Sequence, residues 1–251
     1  MNRLTLLMLL LLLIPGVNAQ HVNNNVAAKE DQFSDSINRI EKLITAGKIT
    51  GKKDTAYSLT SLREAANNAK AIQNNFLQAK AFCAIGDIYF SLNIYNRALP
   101  NFGRAADLFY ETAAQPEIVY AILGLAKSQY YRGNYSRAAE NFVDVVKKSK
   151  EYKLPELSGE ANEYLGLIYG AFQNFQRNTE VYLKALEIKK ELNDDKGIVR
   201  VAANLSQIYY QLGKFDSSLL FANITFSSAQ KLNFATDMYM AQFTRTASLI
   251  R

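Results

Sequence analysis

The chain has 251 residues, 49% apolar, 12% aromatic and 21% charged, a composition that excludes disordered, collagen-like and disulfide-stapled classes. One cysteine and one histidine leave Cys-His and Ser-His-Asp chemistry, and zinc sites built on Cys/His spacing, without material in the folded region. The net charge of +6 comes from bases interspersed with acids, the pattern of solvated helix faces and not of a nucleic-acid surface.

Met1-Asn2-Arg3 precedes an unbroken apolar run, Leu4 to Ile14, then Pro15-Gly16 and the small-residue pattern Val17-Asn18-Ala19. These are the three regions of a secretory signal. Eleven apolar residues make roughly 16 Å of helix against a hydrocarbon core of about 30 Å, too short to span. Residues 1–19 therefore read as a signal peptide cleaved after Ala19, which places the mature chain in the periplasm or outside the cell. Residues 20–30, polar and Asn-rich and containing His21, read as a disordered linker.

Phe33, Ile37, Ile40, Leu43 and Ile44 fall at helical spacing, and Gly47 and Gly51 break the pattern. Asp54 is a good cap for a second helix carrying Leu59, Leu62, Ala65, Ala66 and Ala69. Residues 31–73 thus form a degenerate first helix pair.

From there one pattern recurs every 40 residues: Ile85-Gly86-Asp87-Ile88-Tyr89, Leu125-Ala126-Lys127-Ser128-Gln129, Leu165-Gly166-Leu167-Ile168-Tyr169 and Leu205-Ser206-Gln207-Ile208-Tyr209. Tyr95, Tyr135, Phe175 and Phe215 follow at one offset, after a short turn. The spacing predicts first helices over 76–92, 116–132, 156–172 and 196–212, and second helices over 95–111, 135–151, 175–191 and 215–231. Pro116 and Pro155 suit helix starts. Pro100 falls inside a second helix, where the loss of a backbone bond predicts a local bend. No run alternates at period two, so the chain is all-α. Small residues (Gly86, Ala126, Gly166, Ser206) face large ones (Phe102, Phe142, Tyr182), as interlocking antiparallel helices require. A fixed period of this length means a stacked solenoid. The units run 74–113, 114–153, 154–193 and 194–233, with a final helix over 234–251. Cys83 faces neighbouring helices and reads as a buried apolar side chain.

The pattern Leu-Gly-x-x-Tyr, then Gly/Asn-x-Tyr/Phe, then Ala, Phe and Ala resembles the tetratricopeptide repeat (TPR). Unit one matches at Ile85, Gly86, Tyr89, Tyr95, Ala98, Phe102 and Ala105, and unit three at Leu165, Gly166, Tyr169, Phe175, Tyr182 and Ala185. Gln129, Asn178, Ser218 and Ala222 depart from it. The 40-residue period, against 34 in the standard repeat, resembles the variety found in extracytoplasmic parts of bacterial membrane signalling proteins. The resemblance implies a right-handed α-solenoid of antiparallel helix pairs, about five units, whose first helices line a concave groove. Carried onto this sequence, the lining residues are Lys80, Asp87, Phe90, Tyr120, Lys127, Tyr130, Tyr131, Glu163, Leu167, Arg200, Gln207 and Tyr210. Lys127 and Arg200 are the expected charge anchors. The implied partner is a protein or peptide held in that groove, as the sensory or adaptor part of an envelope signalling system. No catalytic residue, metal, cofactor or nucleic acid is expected. An architectural envelope scaffold, or the N-terminal part of a longer sensor kinase or cyclase with a membrane-anchored partner or C-terminal continuation, stays open as the alternative.

Overall fold

The computed structural model describes the backbone of residues 19–51 and 53–250 and the side chains of 29–51 and 53–250. Among these residues there are eleven helices and no strand: α1 (Ala19–Thr50), α2 (Thr55–Ala71), α3 (Asn75–Ser91), α4 (Tyr95–Glu111), α5 (Gln115–Tyr131), α6 (Tyr135–Glu151), α7 (Pro155–Ala171), α8 (Phe175–Glu191), α9 (Asp195–Gln211), α10 (Phe215–Lys231) and α11 (Ala235–Ile250). From α2 onward each helix starts 20 residues after the last, so the 40-residue unit is two equal helices with equal turns.

The turns explain the regularity. Each helix from α2 to α10 closes on one residue with positive φ: Gln73, Asn93, Ala113, Gly133, Lys153, Gln173, Asn193, Gly213 and Asn233. The two N–H groups around it fold back onto the last helical carbonyls, as in Asn93 N to Phe90 O at 2.9 Å and Ile94 N to Tyr89 O at 2.8 Å. Entry is fixed by caps: Asp54, Asn74, Asn174 and Asp194 accept from the N–H groups of Tyr57, Leu77, Arg177 and Gly197. Ala113, with a Cβ at φ 53°, holds the left-handed turn at a steric cost. Ala113→Gly is expected to stabilise the chain by about 1 kcal/mol, read as a higher urea midpoint.

Two expectations need correcting. Residues 20–30 are not a linker: they form the opening turns of α1, where Val26-Ala27-Ala28-Lys29-Glu30 includes good helix formers. The predicted first helices each begin and end one residue late, because the positive-φ residue, not the tyrosine pattern, sets the stop. Residues 1–18, on which most of the expected signal peptide falls, lie outside the described residues. Pro100 leaves α4 continuous from Tyr95 to Glu111; as the sixth residue it removes only the bond to the Asn96 carbonyl. No described helix is long and apolar enough to cross a membrane.

Each helix packs on the next throughout. Successive first helices also touch, α1 with α3, α3 with α5, α5 with α7 and α9 with α11, whereas successive second helices make no comparable approach. The stack therefore curves toward the first helices, and their outer faces form its inner wall. Close packing follows the predicted rule of small against large. A methyl group built on Gly86 or Gly124 would come within 2.9 or 2.5 Å of the Phe102 ring, and one on Gly166 within 2.5 Å of Tyr182. Gly166→Ala is expected to cost about 1–3 kcal/mol by overpacking, with Gly166→Ala/Tyr182→Leu recovering much of it in the same denaturation assay.

Cys83 is buried and unpaired, and burial, helped by Asp87, pushes its thiol up to about 12. The apolar spine is continuous from Ile40 to Val181, and a second cluster begins at Tyr182.

Candidate functional site

The inner wall is built by repeat register. Residues 40 apart occupy equivalent places on α3, α5, α7 and α9, so side chains seven residues along one first helix meet the start of the next. Tyr120 donates its hydroxyl to Asp87 Oδ1 at 2.9 Å, and one unit on, Lys127 pairs with Glu160 at 2.7 Å. Both contacts span 33 residues, as does the approach of the Tyr131 and Tyr164 hydroxyls at 3.4 Å. Burial pushes the Asp87 carboxyl up, against the opposing hydrogen bond from Tyr120 and the charges of Lys48 and Lys127.

Tyrosines dominate the centre. Tyr131 stacks on Tyr95 with centroids 4.8 Å apart and meets Phe90 edge-on at 5.6 Å. Tyr130 contacts Tyr131, Tyr135 and Tyr164, and burial raises its hydroxyl pKa. Tyr120 and Tyr131 keep 44% and 47% of their surface exposed, so their rings remain open to a partner while their hydroxyls meet Asp87 and Tyr164.

At the C-terminal half the wall is ionic. Glu163 accepts from Lys189 at 3.1 Å and from Arg200 at 3.2 Å, and Lys189 also reaches Asp194 at 3.1 Å. Burial disfavours the Lys189 charge, but the carboxylates of Glu163 and Asp194 outweigh it and its pKa rises. Arg200 behaves alike: burial lowers, Glu163 raises, and the net shift is upward. Burial acts to raise Asp194, yet the Gly197 N–H and Lys189 hold it below the usual carboxylate range. A carboxylate with a folded pKa below its unfolded one contributes stability above the unfolded value, and loses it as pH falls through the folded value. Asp194→Asn is therefore expected to flatten the acid side of the stability curve. Urea midpoints between about pH 6 and pH 3 check this. Asp87, shifted the other way, gains stability on acidification and must be compared separately.

The predicted residues thus fall into groups. Asp87, Tyr120 and Lys127 sit together; Tyr130 and Tyr131 form the centre; Glu163 and Arg200 pair. Lys80 stands apart, half-buried with its ammonium 5.4 Å from the Phe76 ring of its own helix. Gln207 and Tyr210 lie at the far end, where Tyr210 meets Phe215 edge-on at 5.6 Å. Lys127 and Arg200 are not free charges: Glu160 and Glu163 neutralise them, because the same register that faces them to the groove brings acids alongside. Sequence reading missed Glu160, Tyr164 and Lys189. Their signal was departure from register, since Tyr164 stands where Ala84 and Gly124 stand, and Lys189 where Phe109 stands. Among the described residues no three His, Cys, Asp or Glu side chains are grouped to hold a metal.

Comparison with solved structures identifies the architecture. The chain superposes on aspartyl phosphate phosphatase F from Bacillus subtilis with TM-score 0.71 at 14% identity, covering 93% of this chain and 61% of that one. It superposes on a signal transduction ATPase with a tetratricopeptide repeat sensor from Pyrococcus horikoshii with TM-score 0.70 at 16% identity, covering 83% and 32%. For the Rap conjugation gene regulator of plasmid pLS20 the TM-score is 0.58 at 16% identity, covering 81% and 57%. This chain spans less than two thirds of each. At such identities the likeness is one of fold, and the fold is a TPR-like α-solenoid. No curated protein matches the sequence. The soluble NSF attachment protein (SNAP) family model matches residues 17–167, more than half of the chain, from the start of α1 through most of α7. The chain belongs to the soluble NSF attachment protein family.

Proposed function

We propose that this chain is a non-enzymatic, exported binding module that holds a peptide or an extended protein segment along the wall of first helices, as the sensory or adaptor part of an envelope signalling system. The observation that carries the reading is the run of half-open tyrosines, Tyr120, Tyr130 and Tyr131, on the inner face. Rings of this kind give large contact area at low entropic cost and a polar tip for backbone groups. Two similar structures support it in kind: one is described in complex with the Phr* peptide and another with Competence and Sporulation Factor. Because Lys127 and Arg200 are already paired, affinity rests on the rings, and the ion pairs supply register by exchanging partners with a ligand's charges.

The test is a random peptide library panned on the full chain. Selected peptides are expected to lose at least about tenfold in affinity, or 1.4 kcal/mol, in Tyr131→Ala, with helicity unchanged; peptides indifferent to Tyr131 and Tyr120 would contradict the groove. Export rests on residues 1–19 and is checked by sequencing the N-terminus of the protein recovered from the cell envelope. A start at Met1 would remove that part of the reading. The scaffold alternative draws on α11, where Tyr239 and Phe243 are exposed; concentration-dependent sedimentation without any peptide would favour it.

A further inference from the structure

In three units the second helix sends a large aromatic side chain between neighbouring first helices: Phe102, Phe142 and Tyr182, each no more than 3% exposed. Phe102 shows the arrangement, lying between Gly86 on one first helix and Gly124 on the next. The fourth unit breaks the series. Ala222 occupies that register, and Ser206 and Thr244 occupy the places of Gly86 and Gly124. The residues around the missing ring have not closed over it. A hollow of about 290 Å³ remains between α9, α10 and α11, with Ala222, Ser206 and Thr244 in its wall beside Tyr210, Met240 and Asp237. That volume is close to the lower end of small-ligand pockets, about 300 Å³. The hollow reaches the groove, since Gln207 of the predicted wall also lines it and is exposed.

We infer that this hollow is a subsite for the aromatic side chain of a groove-bound peptide, which takes the place that the chain's own ring fills in the other three units. The inference rests on the groove reading and adds a specificity to it. Chemistry narrows the ligand further. Among the described residues Asp237 is the single charged side chain in the lining, so a ring carried next to a cationic group fits and one next to a carboxylate does not. Tyr210, Thr244 and Gln207 offer hydrogen bonds at the rim to a phenol or to backbone amides.

The probe is phenethylamine, a benzene ring with an ammonium group, titrated into the full chain and followed by NMR. Saturable binding is expected, weakened at least about tenfold by Ala222→Phe, which restores the ring of the sister units. 3-Phenylpropionate is expected to bind about threefold more weakly than phenethylamine, a difference that Asp237→Asn erases. n-Butylamine, with the charge and no ring, should not bind. Should Ala222→Phe lose helicity, Ala247→Leu fills the same hollow from α11 and serves instead. Phenethylamine binding that persists in a well-folded filled variant, or equal binding of n-butylamine, overturns the inference. Panned peptides separate the two ideas. Aromatic-bearing peptides that still bind Ala222→Phe sink the subsite and leave the groove standing. Phenethylamine binding without any groove peptide does the reverse.

Discussion

Replacing Phe142 by alanine is expected to cost about 3–5 kcal/mol of folding stability, the range for deleting a fully buried ring. Phe142 has no exposed surface and lies parallel to Tyr164, centroids 5.0 Å apart and planes within 7°. It is the ring that wedges between α5 and α7, where unit four has only Ala222. A solenoid sums repeat stabilities and nearest-neighbour interfaces, so a cavity at one interface weakens the coupling of everything on either side. The loss should appear as a lower urea midpoint, with Phe142→Leu costing much less because most of the volume survives. A change below about 1 kcal/mol would show that the site collapses freely and that the ring is not structural. The effect reaches the groove as well. One face of Tyr164 rests on Phe142 while its hydroxyl meets Tyr131, so freeing Tyr164 should blur the tyrosine cluster and weaken peptides that depend on Tyr131. The opposite substitution at the same register, Ala222→Phe, fills space already present.

What could be read from the sequence was whatever repeats. Gly86 and Gly166 against Phe102 and Tyr182, the aromatic at each second-helix start and the 40-residue step follow from periodicity alone, because a solenoid forces equivalent residues into equivalent environments. The pairing of Lys127 with Glu160 was hidden because repeat register places each residue on its own first helix, while their closeness depends on the offset between successive first helices. Residues 20–30 were misread for a different reason. Asn-rich composition argues for disorder locally, while continuation of α1 is decided by the helix that follows. The most informative positions were the departures, Ala222, Tyr164 and Lys189. Each marks a place where one unit does something the others do not.

Lys189 is the clearest of these, and Lys189→Met is expected to destabilise the C-terminal units by about 3 kcal/mol, as removal of one partner from a buried ion pair does. The side chains of Lys189 and Glu163 are only 8% and 14% exposed. Gly159 and Gly197 make room for the lysine, since a methyl on Gly197 would press on its Cδ at 2.6 Å and one on Gly159 would sit 3.4 Å from its Cε. Without the ammonium, Glu163 keeps Arg200, which is largely exposed, and Asp194 keeps the Gly197 N–H. Both carboxylates then stay desolvated with poorer compensation. The cluster lies where the apolar spine divides between Val181 and Tyr182, and α7 and α9 approach less closely than the other neighbouring first helices do. Charge there replaces the contact that Phe109, Cys83 and Leu123 supply at equivalent places elsewhere. Losing it should uncouple the last units, giving an early urea transition for α9–α11 ahead of the rest. Lys189→Met/Glu163→Leu, which rebuilds an apolar junction, should recover most of the loss, because a buried pair replaced whole by apolar side chains is often neutral. A single, unmoved transition in Lys189→Met would mean that the junction is held by the helix contacts of α8 with α9 alone. Recovery in the double variant, accompanied by altered affinity for groove peptides, would mean that the ions set the angle between units and thereby the curvature a ligand meets.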